Sequence, residues 1–512
     1  MKFLFVFLHL LFFTTISSAF VKPNSIFANN MVLQRNMRVP VWGYAGADEK
    51  VEVQFNGQKQ ITQSKNGKWL LYLEPMKESS KPLSMTITGA NNEVKITNIL
   101  IGEVWLCAGQ SNMEWALFKT NGGEEAISNS TNPLLRIFNI PHNAQMQKVE
   151  EINSKWVGSE PKTTKTISGV GYYFLSKLQK ELNVPVGFIN ASYGGTIIEA
   201  WLSKEVLATQ PNRDKYMDVV IMKRQYDSIF SKAKPIIEAY EKAKDSAKTN
   251  NQPIPPRPQG IPLEFKSTTS LYNGEIYPLL PYAIKGIAWY QGESNAYSQR
   301  AGTYSQLLTS LINSWRKDWN REDLPFIIIQ ISGDAKKAQE TPVELSGKAM
   351  LKEAQFKVAQ STKNTVLVTT SDCGDLDVHY LEKRPIGERV CNAALALAYQ
   401  QKLEYTGPLY QSHRIEGNKI SVSFTHANKG LMVKTDSVKP ESLYGFAIAG
   451  EDKKFYHADA TIAGDKVVVS SKNVTKPVAV RYAWADFSFQ WNLYNTEGYP
   501  ASTFRTDNWD LN

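Results

Sequence analysis

The chain has 512 residues, more than one ordinary domain needs and enough for roughly two to four. It is 42% hydrophobic and 11% aromatic, so a large core can be buried. The net charge of +9 is not gathered into a dense basic run, which excludes a nucleic-acid patch; it reads as a solvated surface with excess Lys, with attraction of acidic substrates as the alternative. Three cysteines, Cys107, Cys373 and Cys391, are too few for a disulfide framework, although one bridge could form. No Cys or His pair has zinc-site spacing, so no metal is expected.

In chain order, residues 1–19 read as an export leader. Lys2 supplies the positive start, Phe3 to Phe13 the apolar stretch, and Ser17-Ser18-Ala19 the small residues before a cut at Phe20. No Cys follows that cut to take a lipid. No later run approaches the ~18 apolar residues of a membrane span. The expectation is an exported protein, periplasmic or extracellular, with no membrane anchor.

Residues 20–100 are predicted to form a β-rich, sandwich-like module. Short runs such as Val51-Glu52-Val53-Gln54-Phe55 are broken by turns at Asn56-Gly57 and Asn66-Gly67. Over 101–403 the pattern changes to apolar strands alternating with helices. The strands are Glu103–Cys107, Val186–Ala191, Gly286–Tyr290, Phe326–Ile331 and Thr365–Thr370. Helical stripes fall at Val170, Phe174, Leu178 and Leu182, and again at Leu307, Leu308, Leu311, Ile312 and Trp315. This pattern predicts a three-layer α/β/α core, flavodoxin-like, around a parallel sheet. An insertion at about 202–270, charged and then Pro-rich, interrupts it and is placed over or beside the site. From 404 to 512 strand signals return as a second β-rich module. No repeat of fixed period runs through the chain.

Open parallel sheets bind ligands beyond the carboxyl ends of their strands. There the sequence carries Gly109-Gln110-Ser111-Asn112-Met113, Tyr193-Gly194-Gly195-Thr196, Gln291-Gly292-Glu293-Ser294-Asn295, and an acidic loop from Asp372 to His379. Acyl transfer from an ester needs an activated hydroxyl, a base within reach and donors for the oxyanion. Ser111 offers the hydroxyl and a backbone N–H. Gly194 or Gly195 offers an unhindered N–H, and Asn295 or Gln291 an amide. Of the five histidines beyond the leader, only His379 follows a core strand, so it is the candidate base; His142, His413, His426 and His457 fall in loops or the terminal β region. Asp377, two residues earlier, is the first choice to orient it, with Glu293 as the alternative. Asp372 and Asp375 read as loop-shaping or solvated carboxylates.

On these motifs the chain resembles the sialate O-acetylesterase family of SGNH hydrolases. The resemblance rests on Gly102 to Glu114, Tyr193 to Thr196, Trp289 to Ala296 and Asp377-Val378-His379. Outside the core it extends to Met31-Val32-Leu33-Gln34-Arg35, Gly445 to Asp452, Val478–Trp484 and Phe504-Arg505-Thr506-Asp507. It implies a cofactor-free Ser-His esterase acting on an acetylated carbohydrate, with Ser111 as nucleophile, His379 as base and Gly194 or Gly195 as donor. Two positions depart from the pattern. Tyr380 stands where the family has Pro after the His, and Leu376 where the wider superfamily has its Asp. Related acetylesterases use the Glu of Gln-Gly-Glu near the base, so Asp377 and Glu293 both stay open. The resemblance implies 9-O-acetyl sialic acid as substrate, with acetylated xylan or another glycan as the variant. A non-catalytic sugar-binding protein is disfavoured by the presence of both Ser111 and His379. A lipase is disfavoured by the charged insertion, where an apolar lid would be needed. The sequence does not set the oligomeric state.

Overall fold

The computed structural model describes residues 20–210, 231, 234–247, 249–250, 252–256, 267–333, 342, 345–374, 377–434, 442–486 and 491–511. The proposed leader, much of the 202–270 insertion, Asp375 and Leu376 lie outside the described residues.

The N-terminal strands are β1 (Lys22–Pro23), β2 (Val32–Gln34), β3 (Val39–Tyr44), β4 (Lys50–Phe55), β5 (Gln58–Gln63), β6 (Lys68–Leu73), β7 (Ser79–Thr88) and β8 (Glu93–Gly109). Strict alternation along β6 buries Trp69, Leu71 and Leu73 and exposes Lys68, Leu70 and Tyr72. The inward residues of β3 and β6 share one buried cluster with Val51, Val53, Met85 and Ile87. The turns at Asn56-Gly57 and Asn66-Gly67 have positive φ throughout, the backbone that Asn-Gly tolerates best.

Six further strands follow: β9 (Asn132–Asn139), β10 (Trp156–Ser159), β11 (Val186–Ser192), β12 (Gly286–Tyr290), β13 (Phe326–Ile329) and β14 (Thr365–Val368). Together with β2, β4, β5, β7 and β8 they form an eleven-stranded sheet whose main path runs β10-β9-β11-β8-β12-β13-β14. The sheet as a whole is mixed, although the five strands expected from the sequence, β8, β11, β12, β13 and β14, pair in parallel with one another. The neighbours from β9 through β14 along this path pair in parallel, but β10 runs antiparallel to β9 at the edge. At its other end β8 pairs antiparallel with β7. The physical cause is the length of β8. Its 17 residues begin beside the N-terminal strands and continue without a break into the centre of the core. The five strands expected in this region are present, with β13 and β14 each ending two residues early.

Both faces of the central strands are covered. Trp105 and Cys107 of β8 pack with Phe174 and Leu178 of the helix Gly169–Leu182 and with Val390 and Ala394 of Lys383–Tyr399. Leu106 and Ala108, on the other face, lie in the cluster of Leu308, Ile312 and Trp315 from Ser298–Asp318 and of Leu351 from Gly347–Ser361. Strands buried on both faces need continuous apolar runs, as these have. Beyond residue 404, strands from Leu409–Glu416 to Phe504–Arg505 build two four-stranded sheets and one two-stranded sheet. The three cysteines are buried free thiols. No helix among the described residues is long and apolar enough to cross a membrane.

Candidate active site

At Gly109, the last residue of β8, φ is +143° and a Cβ would fall 2.1 Å from the Tyr290 carbonyl oxygen of β12. Only glycine lets the two strands end this close together. The chain then turns into the short helix Ser111–Glu114 with Gln110 as its N-cap. Gln110 Oε1 accepts from Gly292 N at 3.2 Å and Gln291 Nε2 at 3.1 Å, tying the turn to the loop after β12. Ser111 opens the helix, so its N–H has no intrahelical acceptor.

Glu114 reaches from this helix to the loop after β11. Its Oε2 accepts from Gly194 N at 2.6 Å and its Oε1 lies 2.8 Å from His142 Nε2. A Cβ on Gly194 would sit 2.9 Å from Glu114 Oε2 and 3.2 Å from Ser111 Cβ, so this glycine keeps the loop against the nucleophile turn. The next residue, Gly195, has φ +73°, and its N–H has no acceptor among the described residues. His142 stacks on Tyr193 with ring centroids 3.7 Å apart.

His379 enters from the loop after β14. Its Nδ1 is 3.0 Å from Asp377 Oδ1, which also accepts from the His379 backbone N–H at 2.8 Å. The imidazole stacks on Trp115 at 4.3 Å, four residues on from Ser111. Asn112 holds the loop in place: its Nδ2 donates to Val378 O at 3.0 Å and to Glu293 Oε1 at 2.5 Å. Lys383 Nζ donates to Asn112 Oδ1 at 2.5 Å. Burial lowers the Lys383 ammonium to about 8, with the nearby Glu293 carboxylate opposing that shift. The second oxygen of Glu293 is buried without a hydrogen-bond partner among the described residues. No hydrogen bond joins Ser111 Oγ to His379 among the described residues; such contacts often close only around substrate.

The structure therefore brings Ser111, Gly194, Gly195, Glu293, Asp377 and His379 to one edge of the sheet. Gln291 and Asn295 are there too, but their amides are turned into the scaffold. Gln291 Nε2 donates to Thr196 O at 3.0 Å and to Asn295 Oδ1 at 2.9 Å. Asn295 Nδ2 donates to Glu199 Oε2 at 2.9 Å. Asp372 makes a paired salt bridge to Arg389, both contacts at 2.7 Å. Sequence reasoning passed over Asn112, Glu114, Trp115, His142 and Lys383. The first two lay inside the Gly-Gln-Ser-Asn-Met-Glu motif, and that adjacency was the only available signal. No group of three or more His, Cys, Asp or Glu among the described residues could hold a metal ion.

A serine on a strand-exit turn, a histidine with a carboxylate at its Nδ1 and nearby backbone donors are the groups that acyl transfer from an ester requires. The model of the family described as carbohydrate esterase, sialic acid-specific acetylesterase, matches residues 101–242 and 263–396. The chain belongs to that family and is an esterase, a hydrolase of ester bonds. It is 24% identical to sialate O-acetylesterase of Homo sapiens, over 93% of this chain and 90% of that one. It is 26% identical to the protein of the same name from Rattus norvegicus, over 74% of each. In structure it is similar to a carbohydrate acetylesterase from Xanthomonas citri, with a TM-score of 0.80 and 29% identity, covering 96% of this chain and 100% of that one.

Proposed function

We propose that this esterase removes O-acetyl groups from a carbohydrate, with 9-O-acetyl sialic acid as the substrate, through an acetyl-Ser111 intermediate. The observation that carries the reading is the convergence on one helix turn. Ser111 begins it, Asn112 holds Val378, and Trp115 stacks on His379. The names of the relatives and of the structural neighbour support the acetyl-sugar substrate.

In this mechanism Ser111 Oγ attacks the acetyl carbonyl carbon as His379 Nε2 takes the hydroxyl proton. Asp377 accepts from Nδ1–H, which fixes the tautomer and stabilises the imidazolium. The oxyanion is received by the N–H groups of Ser111 and Gly195. Gly194 N–H is held by Glu114, and the Gln291 and Asn295 amides brace the loops behind. Collapse expels the sugar oxygen, which takes the proton from His379. Water then attacks the acetyl-enzyme with His379 again as base, releasing acetate and restoring Ser111. The core around this site is an SGNH-type three-layer α/β/α unit over 101–403, between β-rich units 20–100 and 404–512. Residues 1–19 are the cleaved leader of an exported protein.

The test is a substrate panel of 9-O-acetylated sialoglycan, acetylated xylan and a generic aryl acetate, run with wild type and Ser111→Ala. Wild type should release acetate fastest from the sialoglycan, and Ser111→Ala should lose several orders of magnitude in kcat on all three while melting normally. Fastest release from xylan would reassign the substrate. Near-normal turnover by a folded Ser111→Ala would overturn the mechanism.

A further inference from the structure

A second concave surface lies apart from Ser111. β3 and β6 pair antiparallel, with Pro40 opposite Tyr72, Trp42 opposite Leu70 and Tyr44 opposite Lys68. Side chains alternate across a strand, so these six share one face, and the opposite face carries Val39, Val41, Trp69, Leu71 and Leu73 into the buried cluster. The outward face of such a sheet is ordinarily polar. Here it shows Leu70 at 42% exposure and Tyr72 at 38%, with Trp42 and Tyr44 half-buried beside them.

This face is one wall of a cleft of about 800 Å³. The facing wall includes Tyr272, Tyr277, Pro281 and Asp318. Pro281 precedes β12 and Asp318 closes the helix that leads to β13, so this wall belongs to the entry ends of the parallel strands. Ser111 lies past the exit end of β8.

The lining has the chemistry of sugar recognition. Aromatic rings offer apolar faces to the C–H face of a pyranose, and groups that can hydrogen-bond stand between them. The Trp42 indole N–H and the Tyr277 hydroxyl have no hydrogen-bond partner among the described residues. Lys65, also on the lining, has no acidic partner among them. Other polar groups are already engaged and hold the rings in place. Tyr272 donates to Asp318 at 2.8 Å, Tyr44 donates to Glu150 at 3.1 Å, and Lys148 Nζ lies 5.1 Å from the Tyr277 ring centroid. An exposed apolar patch rimmed by polar residues marks a binding surface. Aromatics interspersed with donors that no protein group among the described residues engages suit a polar, ring-faced ligand better than a wholly apolar one.

We propose that this cleft is a non-catalytic saccharide site, which grips a glycan chain through Trp42, Leu70 and Tyr277 and reads an acidic sugar, where present, through Lys65. It uses no residue of the Ser111 site, and its test does not require the ester chemistry to be right.

The experiment is calorimetric titration of the full chain carrying Ser111→Ala with two acetyl-free probes, a sialylated trisaccharide and a neutral xylo-oligosaccharide. Saturable binding of either probe is expected. Leu70→Asp, at an exposed position, and the conservative Tyr277→Phe should each weaken it, the former by about tenfold, equivalent to about 1.4 kcal/mol. Lys65→Ala should weaken only the sialylated probe. In the otherwise wild-type enzyme, Leu70→Asp should leave kcat/KM for an aryl acetate unchanged and raise KM for a polymeric glycan. Absence of binding by both probes, or binding indifferent to Leu70→Asp and Tyr277→Phe, overturns the proposal. So does a change of sedimentation coefficient in Leu70→Asp without loss of sugar binding, which would make the face a contact between copies of the chain.

Discussion

Asn112 makes three side-chain hydrogen bonds within the candidate site, to Glu293, Val378 and Lys383, and it is fully buried. A buried amide with each of these bonds made can keep one orientation, and leaving any partner unmatched costs about 1–3 kcal/mol. Through it the loop of His379 is fastened to the turn of Ser111. The same amide separates the two carboxylates that compete for the role of triad acid. Glu293 meets Asn112, whereas Asp377 meets the imidazole itself. Asp377→Asn is therefore expected to lower kcat by roughly two to four orders of magnitude, because the charge that stabilises the imidazolium is lost. Glu293→Gln should cost roughly tenfold, by loosening Asn112 rather than by touching His379. Steady-state kinetics on both variants decides the matter; the reverse order would give the acid role to Glu293.

The exit of β8 is where one element makes the site possible. Its register with β12 runs from Trp105 opposite Gly286 to Gly109 opposite Tyr290, so the loops after both strands start level. Gly109→Ala would place a methyl 2.1 Å from the Tyr290 carbonyl oxygen, in a backbone region that L residues rarely adopt. The strands would have to part, and a loss of about 4 kcal/mol or more is expected, as for other severe core clashes. Gly302, within the helix Ser298–Asp318, is the control. Nothing lies within 4 Å of its would-be Cβ, so Gly302→Ala should be neutral or stabilise by about 0.5–1 kcal/mol. Thermal melts of the two variants measure the contrast. Equal melting temperatures would show that β8 and β12 need not end so close together.

Across the whole molecule, stability should depend on pH through carboxyls that burial treats differently. Glu275 is fully buried, with one oxygen accepting from Asn143 N at 3.2 Å and the other without a partner among the described residues. Burial raises its carboxyl to about 8, and the neighbouring Glu114 charge adds to the rise. The folded state thus binds a proton that the unfolded state releases near 4.5. The stabilisation is complete below that value and is lost as pH rises toward 8, at up to about 1.4 kcal/mol per pH unit. Asp372 acts in the opposite sense. Burial pushes its carboxyl up, but the hydrogen bonds and charge of Arg389 outweigh that and leave it below its ordinary value. Its contribution is present above about 4 and fades as acid protonates it. The melting temperature should fall between pH 5 and pH 8, and Glu275→Gln should flatten that fall. A wild-type melting temperature that rose steadily to pH 8 would contradict it.

Local chemistry made much of the fold legible from the chain alone. A short strand-forming run marked β4, Asn-Gly pairs marked the turns, and unbroken apolar runs marked β11 to β14, because strand and turn preference are carried by neighbouring residues. The same locality put small polar loops after the core strands and so identified Ser111, Gly194, Gly195, Glu293 and His379 as candidates. What tertiary structure decided were the contacts between distant positions. Glu114 meets Gly194 across 80 residues, and Asn112 meets Glu293 across 181 and Lys383 across 271. No periodicity encodes such pairs, since they follow from which strands lie side by side. Strand order also decided that the Gln291 and Asn295 amides turn inward, that His142 reaches Glu114, and that β8 joins the N-terminal strands to the core in a mixed sheet. A sequence states which groups are available; the sheet, by fixing the order and register of its strands, states which of them meet.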